Sequence, residues 1–276
     1  MALLSLNNVS IDGLLEFAGF KRTPTYGVAF AGGGVRGFAH VGVVKALEEY
    51  GIRPQILSGV SAGSIAAVLY GAGLTPDDML ECFSDYQKFG DFTEFMVPTS
   101  GFFKLDKFGK MLDSWLPVKY LEELTIPTIV CATNYDKGTS VGWGKGEIVP
   151  RVLASCSIPI LFKPMVINGV HYVDGGVLRN LPAWAIRDYC KVLIGSNCSP
   201  LNHGHKFKAS IIDIAERSFQ LMSKANVPQD IQLCDYVILP QGMAGVKTFD
   251  LSTLKKNMRF GYEAACRVLD KITENK

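Results

Sequence analysis

The sequence predicts a three-layer α/β/α domain built around a central, mostly parallel sheet. Two observations lead there. The first 75 residues alternate short apolar runs with helical periodicity in a β-α-β-α order, a pattern that implies parallel strands. Further short apolar runs recur at 127–134, 191–196 and 236–240, between helical stretches. A chain of 276 residues, 48% hydrophobic and 20% charged, is long enough to bury one large core. We read residues 1–20 as an amphipathic N-terminal leader, helical from Ile11 to Phe17, and 21–276 as a single domain.

Tyr26 to Phe30 reads as a buried strand that ends in Gly32-Gly33-Gly34, and Ala39 to Tyr50 repeats apolar residues at helical spacing until Gly51 stops it. Gln55 to Ser58 is a second strand and Ser61 to Gly71 a second helix. Thr75-Pro76 opens a third helix, with Thr75 as N-cap and Pro76 at the first helical position. Between Phe89 and Phe103 periodicity dissolves among aromatics broken by Gly90, Pro98 and Gly101. Two readings compete there: a loop packed on the core, or a flap over an acyl-chain pocket or membrane surface. Pro127 to Asn134 is a third strand with a returning strand near 139–142, and Val149 to Ser155 is a short helix. Asn168-Gly169 between two apolar runs is a type I′ hairpin signal. Lys191 to Ser196 and Tyr236 to Pro240 are strands; Ser210 to Asn226 and Leu251 to Ile272 are helical.

Composition removes several function classes. A formal charge of +2, with no block of like charges, gives no electrostatic case for nucleic acid. Seven widely spaced cysteines without C-x-x-C support neither a zinc site nor a disulfide framework, so we expect no metal and a reducing, cytoplasmic setting. The N-terminus has no basic n-region, and no apolar stretch reaches the roughly 18 residues of a spanning helix, so membrane contact is expected to be peripheral.

Gly59-Val60-Ser61-Ala62-Gly63 sits between a strand and a helix. That setting favours a nucleophile elbow over a bland turn serine, with Ser61 as the nucleophile. Gly32-Gly33-Gly34-Val35-Arg36-Gly37 matches a dinucleotide fingerprint, but the second strand carries no carboxylate for a ribose, and Phe38-Ala39 stand where a phosphate loop needs Lys and Ser/Thr. No cofactor is therefore expected. The same loop suits an oxyanion hole made by the amides of Gly32, Gly33 and Gly34. Arg36 either fixes that loop or attracts an anionic headgroup.

The base has several candidates. His40, His171, His203 and His205 are the only histidines; His203 and His205 are the main competitors to Asp174, which ends a strand before Gly175-Gly176.

Taken together, the glycine loop with Ala39-His40-Val41-Gly42-Val43, the Gly59 to Gly63 pentapeptide, and the run from Ala154-Ser155-Cys156-Ser157-Ile158-Pro159 to Asp174-Gly175-Gly176 resemble the patatin-like phospholipases. The likeness extends through Asn180, Pro182 and Gly261 to Ala265, spanning residues 26–266. It implies a patatin-like fold, a Ser61–Asp174 dyad without catalytic histidine, oxyanion donors at Gly32 to Gly34, and acyl-ester lipids such as phospholipids as substrates. Ala31 departs from relatives that carry a polar or acidic residue there, which bears on how the loop is anchored. Phe89, Phe102 and Arg36 are the expected substrate contacts. An aspartate base predicts activity that persists at mildly acidic pH. A lipid-binding or regulatory module and an acyltransferase remain alternatives to a hydrolase, and oligomeric state is not legible.

Overall fold

The computed structural model describes residues 24–83, 91, 93–95, 101–200, 204, 210–248 and 250–274. The expected leader, Phe89, His203 and His205 lie outside these residues. In chain order come β1 (Tyr26–Phe30), α1 (Phe38–Glu49), β2 (Ile56–Val60), α2 (Ala62–Gly71), α3 (Pro76–Glu81), a small hairpin of β3 (Glu94–Phe95) and β4 (Phe103–Lys104), and α4 (Asp106–Trp115). There follow β5 (Thr128–Asn134), β6 (Thr139–Trp143), α5 (Ile148–Cys156), β7 (Met165–Ile167), β8 (Val170–Asp174), β9 (Val192–Ser196), α6 (Ile211–Ile231), β10 (Tyr236–Ile238) and α7 (Leu254–Glu274).

The main sheet runs β10-β9-β1-β2-β5-β8-β7, with β6 paired to β5. From β10 to β5 it is parallel; β6, β7 and β8 are antiparallel additions. Strand residues divide by parity, as a two-residue period demands. Val28 and Phe30 join the larger core under α1, α2, α5 and α7, whereas Ala29 and Ala31 face a second core closed by α6 and the turns after Leu181. Helices thus cover both faces, and the expected three-layer architecture is observed.

Local sequence explains most element ends. Gly51 takes φ 67° after α1, Thr75 and Asp78 form a reciprocal capping box on α3, and Asn168-Gly169 turn at φ 52° and 78° as a type I′ hairpin requires. Two helices cross in close contact where a Cβ on Gly42 of α1 would overlap the Met258 carbonyl, and one on Gly261 of α7 would overlap that of Ala39. That crossing accounts for the glycine in the C-terminal Gly261 segment.

One boundary moved. β2 runs through Gly59 and Val60 to the edge of Ser61 instead of stopping at Ser58, because both residues stay in register with Val130 and Cys131 of β5.

Candidate active site

The strand β5 acts as a template. Its one edge is taken by β6 through residues 130–134, so its other edge is shared by β2, which pairs up to Val60↔Cys131, and β8, which pairs from Asp174↔Ala132. β2 is parallel to β5 and β8 antiparallel, so their C-terminal ends meet head to head. Ser61, one residue beyond Val60, and Asp174, the last residue of β8, are brought together by adjacent positions of a third strand.

At Ser61 the chain turns from strand to helix with φ 53° and ψ −126°, a region that costs a non-glycine residue about 1–3 kcal/mol. The neighbouring sequence makes room for this. A Cβ on Gly59 would strike the Gly63 carbonyl where α2 folds back, and one on Gly63 would strike the Phe30 carbonyl of β1. The Ser61 amide donates to Ser155 Oγ at 2.7 Å, which donates onward to the Cys131 carbonyl at 2.6 Å, so α5 ties the elbow to the template strand.

Asp174 is fully buried. One carboxylate oxygen accepts the Gly176 N–H at 2.8 Å, while the other has no hydrogen-bond partner among the described residues. Burial pushes its pKa up to about 7, against the pull of the Gly176 amide and of the Ser61 hydroxyl, whose hydrogen-bonding influence is the side-chain one acting on this carboxylate. Such a carboxylate holds its proton to higher pH than a free aspartate, which bears against the expectation of activity persisting at mildly acidic pH.

The glycine loop lies beside the elbow, and a Cβ on Gly32 would sit 3.2 Å from that of Ser61. Its three amides are not equivalent. The Gly32 N–H donates to the Asn180 carbonyl at 3.1 Å, so it is not a free donor; those of Gly33 and Gly34 have no acceptor among the described residues. The loop is anchored without a polar residue at position 31. The Ala31 carbonyl meets His40 Nε2 at 2.8 Å, His40 Nδ1 meets Ser196 Oγ at 2.8 Å, and the Gly32 carbonyl accepts from Ser199 Oγ at 2.6 Å and from Asn180 Nδ2 at 3.3 Å. Arg36 is buried, its Nε donating to the Gly33 carbonyl at 3.2 Å.

Neither described histidine serves Ser61. His40 is fully buried with both ring nitrogens engaged, and His171 is exposed, 3.1 Å from the Asp136 carboxylate.

Ser61 stands between two cavities. One, of about 140 Å³, is lined almost wholly by apolar side chains, from Ala62, Ile65 and Leu69 of α2 past Val41 to Met79, Phe83 and Phe108. The other has more polar groups in its wall, bounded by the glycine loop, Arg36, Asn180, Ser199 and the inner face of α6, together with Ile158 and Phe219. Phe102, expected as a substrate contact, lies on the approach to β4 outside the lining of both cavities, its amide donating to the carbonyls of Ile160 and Leu161. Cys156, which lines the apolar cavity, has its thiol pushed up by burial and is an inert wall.

Sequence reasoning missed Ser155, Asn180, Ser199 and the anchoring role of His40. Ser155 and Asn180 stand inside the segments that carried the family likeness, so a signal was present without a role attached to it.

The architecture and sequence of this arrangement have known counterparts. The model of the family Patatin-like phospholipase matches residues 28–186, which include the glycine loop, Ser61 and Asp174. The chain is 28% identical over 187 residues to an uncharacterized NTE family protein of Mycobacterium bovis, covering 66% of this chain and 32% of that one. It is 26% identical over 239 residues to the lysophospholipase NTE1 of Candida albicans, covering 80% of this chain and 17% of that one. It thus spans about a third or less of these relatives. The crystal structure of VipD from Legionella pneumophila superposes on 90% of this chain and 67% of its own, with a TM-score of 0.53 at 14% identity, a likeness of fold. No helix among the described residues is long and apolar enough to cross a membrane. With its family model matched over more than half its length, the chain belongs to the patatin-like phospholipases, a family of lipid hydrolases.

Proposed function

We propose that the chain is a lipid acyl hydrolase working through a Ser61–Asp174 dyad. Asp174 accepts the proton as Ser61 Oγ attacks the ester carbonyl, and the Gly33 and Gly34 amides receive the oxyanion at the start of the turn into α1. The alcohol leaves with a proton returned by Asp174. Water, deprotonated by the same carboxylate, then attacks the acyl-enzyme; the bond to Ser61 Oγ breaks, Asp174 returns the proton to that oxygen, and the fatty acid leaves. One observation carries this reading: β5 aligns a strained serine with a buried carboxylate that has one unpaired oxygen. The apolar cavity supports an acyl chain on the α2 side, each buried methylene contributing about 0.8 kcal/mol. Single-chain phospholipids are the favoured substrates, since related fungal proteins are named lysophospholipases.

The outer face of α6 supports peripheral lipid contact. Ile211, Ile214, Leu221 and Met222 are exposed at helical spacing, on the element whose inner face lines the polar cavity.

The test is hydrolysis of a p-nitrophenyl ester together with labelling by a fluorophosphonate probe. Ser61→Ala and Asp174→Asn are expected to abolish turnover, with the probe found on Ser61 in the wild type, while His203→Asn and His205→Asn retain activity. Lipid binding without labelling identifies a binding module instead, and loss of activity in a folded histidine variant identifies a triad.

A further inference from the structure

Asn226, half-buried on α6, holds two backbone segments at once. Its Oδ1 accepts the Asn180 N–H at 2.8 Å, and its Nδ2 donates to the carbonyls of Gly176 at 2.9 Å and Val177 at 3.4 Å. All three partners are main-chain groups of fixed polarity, so the side-chain amide fits only one way round. Each contact leads to one half of the reaction centre. The Gly176 N–H is the donor on the Asp174 carboxylate, and the Asn180 carbonyl accepts the N–H of Gly32, directly before Gly33 and Gly34. Glycine has the greatest backbone freedom, so the Gly176 N–H stays aimed at Asp174 only if the carbonyl on its other side is also held. Ser223 Oγ, one turn before Asn226 on α6, gives that carbonyl a second donor at 3.1 Å. The Asn180 side chain closes the space between loop and turn. Its Oδ1 would lie 2.5 Å from a Cβ on Gly32 and 2.8 Å from one on Gly176, so it is admitted because both are glycines. Fastening α6 to this turn does not depend on Asn226. Arg179 does that with two 2.7 Å bonds to Asp230, which also accepts the Trp184 N–H at 3.3 Å. What Asn226 adds is the mutual placement of two peptides beside the dyad.

We infer that Asn226 is a positioning residue for the hydrolysis, fixing the base and the oxyanion donors relative to each other through Gly176 and Asn180. The inference rests on the acyl-hydrolase reading and adds a residue to it. Asn226 lines neither cavity and acts only through the backbone it holds.

The experiment follows hydrolysis of a p-nitrophenyl ester from about pH 5 to 9 in wild type, Asn226→Ala and Asn226→Ser, together with the Ki of an alkyl trifluoromethyl ketone. The ketone forms a tetrahedral adduct with a serine nucleophile, so its Ki reports the oxyanion donors. In Asn226→Ala, kcat and kcat/KM are expected to fall together by about tenfold or more, as misplaced reacting groups require. The acid limb of kcat/KM should move to higher pH by up to about one unit, because a loosened Gly176 N–H withdraws support from the charged Asp174. The Cys156 thiol, a titratable neighbour of Asp174, stays neutral across this range because burial pushes it up. The Ki should rise by about tenfold. Asn226→Ser, whose short hydroxyl replaces a two-ended amide, is expected to move both readouts in the same directions and serves if the alanine variant fails to fold. A purely structural role lowers Tm and leaves the limb and the Ki in place, which overturns the inference; movement of one without the other overturns it as well. If the wild type hydrolyses no acyl ester, the hydrolase reading fails instead. The stability difference between Asp174 and Asp174→Asn, followed against pH with and without Asn226→Ser, then decides: a titration window shifted to higher pH supports the positioning role, and an unmoved one overturns it.

Discussion

Replacing Asp174 by asparagine separates what the carboxylate costs the fold from what it does for the reaction. Burial raises this group from 3.8 to about 7. Between roughly pH 4 and 7 the folded chain therefore keeps a proton that the unfolded chain has already released, and stability falls as pH rises through that window. The slope is up to about 1.4 kcal/mol per pH unit, and above pH 7 the deficit is complete at about 4 kcal/mol. Below about pH 4 both states are protonated and the deficit vanishes. Asparagine has the same shape, still accepts the Gly176 N–H, and never ionises. The variant is expected to exceed wild type by several kcal/mol at pH 8, a gain in Tm on the order of 10 °C, and to converge with it near pH 4, while losing ester hydrolysis. Urea unfolding of both proteins from pH 4 to 9 measures this, and every other titrating group cancels in the difference. A stability difference that does not vary with pH, or a variant less stable than wild type at pH 8, would refute the reasoning.

Three further outcomes follow from the same geometry. If Asp174 is the base, kcat/KM for a neutral ester should rise with pH to a plateau above about 7 and lie about thirtyfold below that plateau at pH 5.5; a flat profile between these values would remove Asp174 from the role. Ser61→Gly should be about 1 kcal/mol more stable than Ser61→Ala, since alanine keeps the positive-φ strain that glycine relieves, and thermal unfolding of the two inactive proteins decides it. Asp230→Asn should cost about 3–5 kcal/mol in urea unfolding, because it strands Arg179, whose two 2.7 Å bonds to the buried Asp230 fasten the turn after Asp174 to α6.

Ser61 and Asp174 were legible as candidates because each sits at a strand end beside glycines, a local pattern with a local cause. The backbone strain at Ser61 needs small neighbours at 59 and 63, and those neighbours are visible in one pentapeptide. Their meeting was not derivable from spacing, because it depends on β8 running antiparallel along the same edge of β5 that β2 occupies. The family likeness supplied that pairing instead. The distribution of loop amides was equally hidden: Gly32 looks like Gly33 and Gly34 until the Asn180 carbonyl is seen to claim its N–H. α4 went unassigned although Phe108, Leu112 and Trp115 recur at helical spacing, a signal masked by the aromatic irregularity just before it. Polar core residues such as His40 and Ser155 resist sequence reading for a common reason. Their partners lie far along the chain, so nothing nearby distinguishes them from exposed polar residues.

Several unfavourable features collect around the site. A serine in a strained conformation, a fully buried carboxylate and two glycine amides with no acceptor among the described residues all lie around one cleft. Each alone destabilises the fold by an amount comparable to a typical point mutation. Around them the polar groups are paired: Ser155 bridges the elbow to β5, His40 and Ser199 hold the loop, and Arg179 with Asp230 holds the turn beyond β8. Strain and desolvation persist only where surrounding contacts over-determine the backbone. A substitution that relieves the cleft should therefore stabilise the protein and impair it, whereas one that breaks the surrounding network should do both kinds of harm at once. Asp174→Asn and Asp230→Asn, measured side by side for stability and turnover, put that distinction to a direct comparison.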